Sequence, residues 1–432
     1  MRSVLSRVRR VLFWSLVVVV GAYGAWGRVE AWRLSRAVEA IKARGEPVDY
    51  SYWYARQVTA EQREAASLYA RAAAFAMEAD SGQQYRASMI DVDLPSGPVL
   101  TLADIAAGYR PDAPAMQLLD RATPLDFTEF GEDQREIYDN QIPLQVLGAQ
   151  ACLRADLLAA RGGDGDAAIA ALIPCVRLQR TLLPNYRSHH AARLLGSLRI
   201  LFRHTAPTDA SLAALQHVFE GWPDEEVIVR GLLQDRVGFL SYLDAPSRSF
   251  GEAVMSAVTQ PFSTNVTRRR LASFDEPLAL ARMSAKARRE AIAALRRAPP
   301  APRRRGFLDT FMSPGWYSTV SFEAARLDLA ARRIMTTVLA IERYRRAHHG
   351  AVPLSLDALV PAFLPAVPED PLSNGAGDTI RYVRQPDGYL VYSIDSNRRD
   401  DGGAFYGHGA AVTKHVGPQS PRDVGIRVPL KP

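Results

Sequence analysis

The 432-residue chain has few of the residues that bind structural metals or carry out covalent catalysis. It has two cysteines, Cys152 and Cys175, and no Cys-x-x-Cys pair, which excludes a structural zinc site and a thioredoxin-like motif. The His-Glu-x-x-His, Gly-x-Ser-x-Gly, P-loop and Gly-x-Gly-x-x-Gly motifs are also absent. We therefore expect a protein that is not an enzyme.

An excess of basic over acidic residues is missing from most of the chain although the net charge is +7. The segment from Arg268 to Arg305 holds twelve basic and three acidic residues, so the remainder is slightly acidic. Because the positive charge is confined to one segment, we expect no nucleic-acid partner. Two interpretations of this segment stay open: it lies on anionic lipid headgroups, or it is a solvated charged linker.

The N-terminus has the pattern of a membrane anchor. Residues 1–10 form a basic tail without an acid, and Val11 to Gly27 are seventeen residues without a charge. As a helix these seventeen residues span roughly 25 Å, which is enough to cross a thin bilayer. Trp14 and Trp26 suit the two interfaces, and the arginines of the tail place the N-terminus in the cytoplasm.

A cleaved signal peptide is the alternative, because Ala22-Tyr23-Gly24 offers small residues at a position where signal peptidase could cut. Both interpretations export the rest of the chain. We expect an inner-membrane protein with a single span whose bulk lies on the periplasmic, extracytoplasmic side.

Residues 28–244 have mainly helical periodicity and predict an irregular α-helical domain. Within it, residues 155–184 resemble a tetratricopeptide-type helical hairpin, with the turn at Gly162 to Gly165. If Leu144 to Arg161 and Asp166 to Leu183 form an antiparallel helical hairpin around this turn, Cys152 and Cys175 lie at nearly equal distances from it. A disulfide and a pair of buried free thiols both remain open.

Residues 245–317 are rich in Ser, Pro and Arg and predict a basic linker. Residues 318–432 predict a small α+β domain that begins with a helix of about 25 residues with one buried face and an arginine-rich opposite face. A short helix and a β-hairpin at 379–394 follow. The predicted fold class is therefore mainly α, with an N-terminal transmembrane helix and a small antiparallel sheet near the C-terminus.

Several motifs of residues 321–403 occur in a recognisable order: Ile341 to Pro353, Leu356 to Val360, Asp370-Pro371, Tyr392-Ser393 and Asp400 to Gly403. In this order they resemble the periplasmic domain of the major pseudopilins of type II secretion systems. The resemblance implies a helix packed on a small antiparallel sheet and a calcium ion that fixes the loop after the hairpin. The N-terminus lacks the glycine and glutamate of a prepilin, so we expect a pseudopilin-like module in another role.

For that calcium ion the sequence offers the oxygen donors Asp395, Asn397, Asp400 and Asp401. Their spacing differs from that of an EF-hand, and Arg398 and Arg399 lie among them. A solvated acidic turn is the alternative.

The function expected from these features is that of a membrane-anchored, exported interaction or structural protein with protein partners in the cell envelope. One alternative is a component of a type II secretion-like apparatus. A second is an envelope enzyme that uses the proline-rich segment from Asp91 to Pro124.

Overall fold

The computed structural model of the chain describes residues 2–49, 59–79, 113–125, 127, 142–161, 163–182, 184–221, 224–241, 250–283, 287–288, 290–291, 315–373, 378–394, 399–404 and 423–430. The described chain is mostly helical and has a small antiparallel sheet near the C-terminus, so the predicted fold class is confirmed.

The elements follow one another along the chain as a long series of helices and then three strands. The α-helices are α1 (Arg2–Ala43), α2 (Ala60–Ala79), α3 (Pro114–Ala122), α4 (Ile142–Ala160), α5 (Gly165–Gln179), α6 (Pro184–His204), α7 (Asp209–Glu220), α8 (Asp224–Ser241), α9 (Phe250–Ser273), α10 (Asp275–Arg282) and α11 (Gly315–Ala347). A 3₁₀ helix (Leu356–Leu359) precedes the strands β1 (Arg381–Gln385), β2 (Gly388–Ser393) and β3 (Val424–Pro429).

Two compact units make up the chain. The first contains Met1–Tyr52, Leu233–Ala279 and Pro300–Thr319, and the second contains Trp53–Leu232, Leu280–Pro299 and Val320–Pro432. The predicted helical domain and the predicted C-terminal domain therefore contribute most of their residues to the same unit.

In the first unit α1 packs against α9. Ile41, Leu240 and Leu271 form its buried apolar cluster, with Leu34 and Val38 packed against it. α9 and α10 both lie within the residues predicted as a linker. Ser, Thr and Arg separate the apolar residues of this region, so its composition does not predict helices. Leu271 of α9 and Phe274, which lies between α9 and α10, are nevertheless almost fully buried.

In the second unit α4 and α5 pack against each other as the predicted hairpin. Asp164 caps α5 by accepting a hydrogen bond from the backbone N–H of Asp166 at 2.9 Å. A Cβ atom at Gly165 would lie 2.9 Å from the Thr205 hydroxyl oxygen, so the hairpin and the residues after α6 can approach closely only at a glycine.

α11 is buried on more than one face, so the prediction of a single buried face is wrong. The side chains of Arg326 and Arg332 are 3% and 2% exposed. Arg326 donates to the carbonyl oxygen of Pro371 at 2.6 and 3.0 Å, and Arg332 pairs with Asp328 at 3.6 Å. Gln179 of α5 also donates to Asp328, at 2.6 Å. The arginine-rich face is buried because carbonyl oxygens and a carboxylate face it, which hydrophobic periodicity does not reveal.

A left-handed turn that includes His349, with φ 54°, ends α11. Gly350 has φ +88°, and its N–H donates to the Arg345 carbonyl at 2.7 Å, as in a Schellman-type helix end. Ser355 precedes the short 3₁₀ helix but makes no side-chain capping bond to its backbone.

The sheet has the order β1-β2-β3 and both pairs are antiparallel. β1 and β2 form the predicted hairpin, with Gln385 opposite Gly388 across a two-residue turn. β3 pairs with the other edge of β2, from Gly388 opposite Pro429 to Ser393 opposite Val424. All six residues of the central strand β2 are buried.

Candidate functional site

The N-terminal half of α1 presents apolar side chains that nothing covers within the described chain. Large apolar residues between Val11 and Val20 are 42% to 67% exposed. In the part of the chain that the structure describes, α1 is the one helix long and apolar enough to cross a membrane. This agrees with the predicted anchor at 11–27; the kind of membrane and the orientation stay predictions.

After the exposed residues 11–20, α1 begins to pack along α9. Tyr23 and Trp26 meet Phe262 of α9, with ring centroids 6.2 and 4.7 Å apart. Gly27 makes this approach feasible, because a Cβ atom there would lie 3.0 Å from Cγ of Pro261. The aromatic cluster thus marks the point where α1 and α9 come together.

A buried carboxylate fixes the register of the two helices one turn farther on. Glu30 is 1% exposed and accepts hydrogen bonds from Arg33 at 2.8 Å and from Arg268 of α9 at 3.2 Å. The two guanidinium groups face a carboxylate that would be costly to bury alone. Sequence reasoning missed this contact because 238 residues separate Glu30 from Arg268.

At the acidic C-terminal loop, Asp395 and Asn397 lie outside the described residues, whereas Asp400 and Asp401 are described. Asp400 accepts hydrogen bonds from Arg381 at 2.8 Å, from the Tyr392 hydroxyl at 3.0 Å and from the Gly402 N–H at 3.0 Å. Although burial opposes it, these three donors lower the pKa of Asp400.

The described half of the predicted calcium ligands does not by itself fit a cation, because Arg381 already neutralises Asp400. No three His, Cys, Asp or Glu side chains converge on a metal within the described ranges. The full set of Asp395, Asn397, Asp400 and Asp401 stays a prediction.

Asp423 closes the same loop from the strand side. Its carboxylate accepts hydrogen bonds from the backbone N–H groups of Asp401 at 3.1 Å and Gly403 at 2.7 Å. Burial, with the nearby charges of Asp400 and Asp401, raises the pKa of Asp423 to about 6. Gly402 and Gly403 have φ of +69° and +78°, the conformation that lets the N–H groups on either side of Gly402, those of Asp401 and Gly403, reach one carboxylate.

A second carboxylate, Asp370, joins the sheet to the segment before it. Asp370 is 1% exposed and accepts from Arg381 at 2.8 Å and from the backbone N–H of Ile394 at 3.2 Å. The Ser393 hydroxyl and the Leu372 N–H donate to its other oxygen. Asp370 and Ser393 both belong to the motifs quoted for the pseudopilin resemblance, and here they form one buried network.

The two cysteines face each other across the α4–α5 hairpin. Both are buried free thiols. Burial, followed by a hydrogen bond with the Cys152 thiol, raises the pKa of the Cys175 thiol well above its usual value. The two thiols are therefore neighbours in the core of the hairpin, and the disulfide itself stays a prediction.

His190 of α6 packs against the same hairpin. Its Nε2 lies 3.0 Å from the Cys175 carbonyl oxygen, and its side chain fills the space left by Gly148, where a Cβ would lie 2.4 Å from the imidazole. Burial lowers the pKa of His190 to about 4. A neutral, enclosed imidazole of this kind stabilises the core and has no access to a substrate.

A polar cavity of about 320 Å³ lies between the end of α6 and the end of α11. Glu342 lines it but is engaged, because it accepts from the Tyr389 hydroxyl at 2.6 Å and pairs with Arg345 at 2.8 Å. Arg345 lies three residues after Glu342 on the same helix. Thr205 donates to a helix carbonyl, so the lining holds no nucleophile paired with a base.

Comparison with known proteins finds no matching family model, curated protein or solved structure.

Proposed function

We propose that the chain is a membrane-anchored interaction protein: α1 crosses the bilayer once, and the two helical units lie on the extracytoplasmic side and bind other envelope proteins. The observation that carries the proposal is α1 itself. Its first half exposes a continuous apolar surface, and its second half is clamped to α9 by Glu30 and Arg268. A helix whose apolar side chains are exposed at one end and which packs against the protein at the other end is suited to hold a folded domain at a membrane surface.

The orientation rests on charge. Arg2, Arg7, Arg9 and Arg10 precede the apolar run with no acid among them. Positive charge at one end of a first span favours the cytoplasm for that end.

A phosphatase that is active only outside the cytoplasm, fused after Pro432, tests this topology. We expect activity from the full-length fusion and none from a control in which the phosphatase follows Arg10. Activity restricted to a phosphatase variant that works in the cytoplasm would contradict the orientation.

A second candidate function is that of a component of a type II secretion-like apparatus, acting through the C-terminal module. What favours it is the network in which Asp370 and Ser393, two of the residues that carry the resemblance, meet beside the β-hairpin. Recovery of pseudopilins or secretin components with the full-length chain would support this function. Their absence from cross-linked complexes that contain other envelope proteins would favour the first.

A further inference from the structure

β1 is an edge strand, and the described chain covers its outer side just before the strand begins. β2 pairs with β1 on the inner side. On the outer side, the Ile380 N–H donates to the Pro368 carbonyl oxygen at 2.9 Å, and the Asp370 N–H donates to the Asp378 carbonyl oxygen at 2.8 Å. These bonds show that the backbone groups of Asp378 and Ile380, two residues apart, point outward.

The alternation of a strand continues this pattern into β1. Because backbone N–H and C=O groups point to the same side at every second residue, those of Tyr382 and Arg384 face outward, away from β2. Neither N–H group has a hydrogen-bond partner among the described residues. Unpaired groups at this spacing are a template for a further strand, since an extended backbone offers matching donors and acceptors.

A groove of about 430 Å³ lies along the same edge. Its lining includes Tyr382 and Val383 of β1, and Leu354 of the segment that follows α11. The Tyr382 hydroxyl donates to the Pro353 carbonyl oxygen at 2.9 Å, which joins this segment to β1. Leu354 is 82% exposed and Val383 is 40% exposed. The groove therefore offers apolar surface to the side chains of an added strand.

Arg384 determines which charge on a partner would be favourable. Its side chain is exposed and makes no ion pair within the described ranges. Arg381, the other arginine of β1, already pairs with Asp370 and Asp400, each at 2.8 Å. Asp357, the remaining acid of the groove lining, accepts a hydrogen bond from a neighbouring hydroxyl at 3.3 Å. A carboxylate opposite Arg384 would therefore complement the charge at the open edge, because opposite charges on neighbouring strands attract.

We propose that the outer edge of β1 binds an extended segment of another protein, which adds a fourth strand through the backbone groups of Tyr382 and Arg384. The segment carries an acidic residue opposite Arg384 and, next to it, an apolar residue opposite Val383, because neighbours along a strand point to opposite faces.

This site deepens the proposed function and rests on it, since it is the surface by which the chain would bind envelope proteins. The site lies within the second unit. Binding to it can be measured whether or not α1 crosses a membrane, so failure of the anchor and failure of this site are separate results.

The probe is a library of random dodecapeptides displayed on phage and selected against the full-length chain in detergent micelles. Binding of the selected peptides is then measured to the unsubstituted chain and to three variants. Arg384→Pro removes one outward N–H and leaves the bonds to β2 in place, since a sheet tolerates proline where the N–H faces away from it. Arg384→Ala keeps the N–H and removes the charge. Arg161→Ala, at an exposed arginine elsewhere in the second unit, is the matched control.

We expect selected peptides to carry acidic and apolar residues at adjacent positions. Binding should weaken about tenfold or more in Arg384→Pro, up to about fivefold in Arg384→Ala, and not at all in Arg161→Ala. N-methylation of every second peptide amide should weaken binding about tenfold, and N-methylation of the amides between them should have no effect. The bound peptide should protect the amide protons of Tyr382 and Arg384 from hydrogen exchange.

The amide exchange of the chain without peptide supplies two outcomes that would overturn the proposal. Protection of Tyr382 and Arg384 in the dilute chain would mean that the same chain covers the edge. Protection that rises with the concentration of the chain would assign the edge to a second copy.

The peptides supply the others. The proposal is wrong if no peptide is selected, if those selected lack a carboxylate, or if N-methylation of consecutive amides has equal effects. Protection of the Val383 and Leu390 amides shows that Arg384→Pro keeps the β1–β2 hairpin. If that protection is lost in the variant, the N-methylation pattern on the unsubstituted chain decides.

Discussion

At Gly388 the backbone of β2 approaches that of β3 so closely that there is no room for a side chain. A Cβ atom added there would lie 2.2 Å from the carbonyl oxygen of Val428 and 3.1 Å from Cα of Pro429. Neither atom is the end of a flexible side chain, so Gly388→Ala must push β3 away from β2. We expect this substitution to open the end of the β2–β3 pair.

The cost can be worked out from the contacts. Restoring an ordinary contact distance moves β3 by about 1 Å, which takes neighbouring N–H···O bonds beyond hydrogen-bonding distance. Two ladder bonds at about 1 kcal/mol each, with about 1 kcal/mol for repacking the buried Tyr389, sum to about 3 kcal/mol. The protection of the amides in β2 and β3 against hydrogen exchange should therefore fall on the order of 100-fold.

Gly221→Ala is the matched control. Its Cβ would meet its nearest atom, the His217 carbonyl oxygen, at 3.6 Å, and its φ of −65° suits alanine. Protection should stay the same or rise slightly, because alanine reduces the entropy of the unfolded chain. Unchanged protection of β2 and β3 in Gly388→Ala would refute the register of the sheet described above.

Three further substitutions test buried polar groups, each by amide exchange within its own unit. His190→Gln should make the free energy of unfolding less dependent on pH below pH 6.5. The folded-state pKa of His190 is about 4, below the usual 6.5, so its neutral imidazole contributes about 3 kcal/mol of stability above pH 6.5, and this contribution is lost as the pH falls through 4. Tyr389→Phe removes the hydroxyl bond to the buried Glu342 carboxylate, 2.6 Å long, and should cost about 1.5–3 kcal/mol. Glu46→Gln leaves the fully buried Arg236 without its carboxylate partner at 2.7 Å and should cost about 3–5 kcal/mol.

Each of these substitutions has an exposed or half-buried counterpart. His217→Gln, on the exposed face of α7, should change the free energy of unfolding by less than about 0.5 kcal/mol. Tyr382→Phe removes a hydroxyl bond to a carbonyl oxygen and should cost about 1 kcal/mol. Glu39→Gln removes an exposed pair with Lys42 and should cost less than about 1 kcal/mol. Equal effects of target and counterpart would contradict the burial assigned to the targets.

Local patterns predicted the elements whose signals are contiguous in sequence. The apolar helix after Arg10, the α4–α5 hairpin and the β1–β2 hairpin all depend on neighbouring residues, and the structure has each of them. Local periodicity and turn chemistry act within a few residues, so they can be read directly.

The remaining features depend on partners far along the chain. In β3, Val424, Ile426 and Val428 alternate with other residues, a pattern typical of a strand. The sequence alone does not show which strand β3 pairs with, because that depends on the free edge of β2 in the folded sheet. The arginine-rich face of α11 was predicted to be exposed, because nothing local shows that the Pro371 carbonyl would receive Arg326. Long-range polar contacts of this kind decide burial, and periodicity alone cannot supply them.

The same limit applies to the membrane-proximal site. Val11 to Gly27 were identified from hydropathy and charge. The clamp between Glu30 and Arg268 emerged only from the folded chain, since α9 lies in residues whose composition predicted a linker.

The central claim is that α1 holds the chain in a membrane as an uncleaved anchor. Alkaline carbonate extraction of membranes that carry the full-length chain, followed by intact-mass measurement of the protein in each fraction, tests it most directly. We predict that the chain stays in the membrane pellet with a mass that includes residues 1–27. Release into the soluble fraction, or a mass that starts after the Ala22-Tyr23-Gly24 site, would contradict the account.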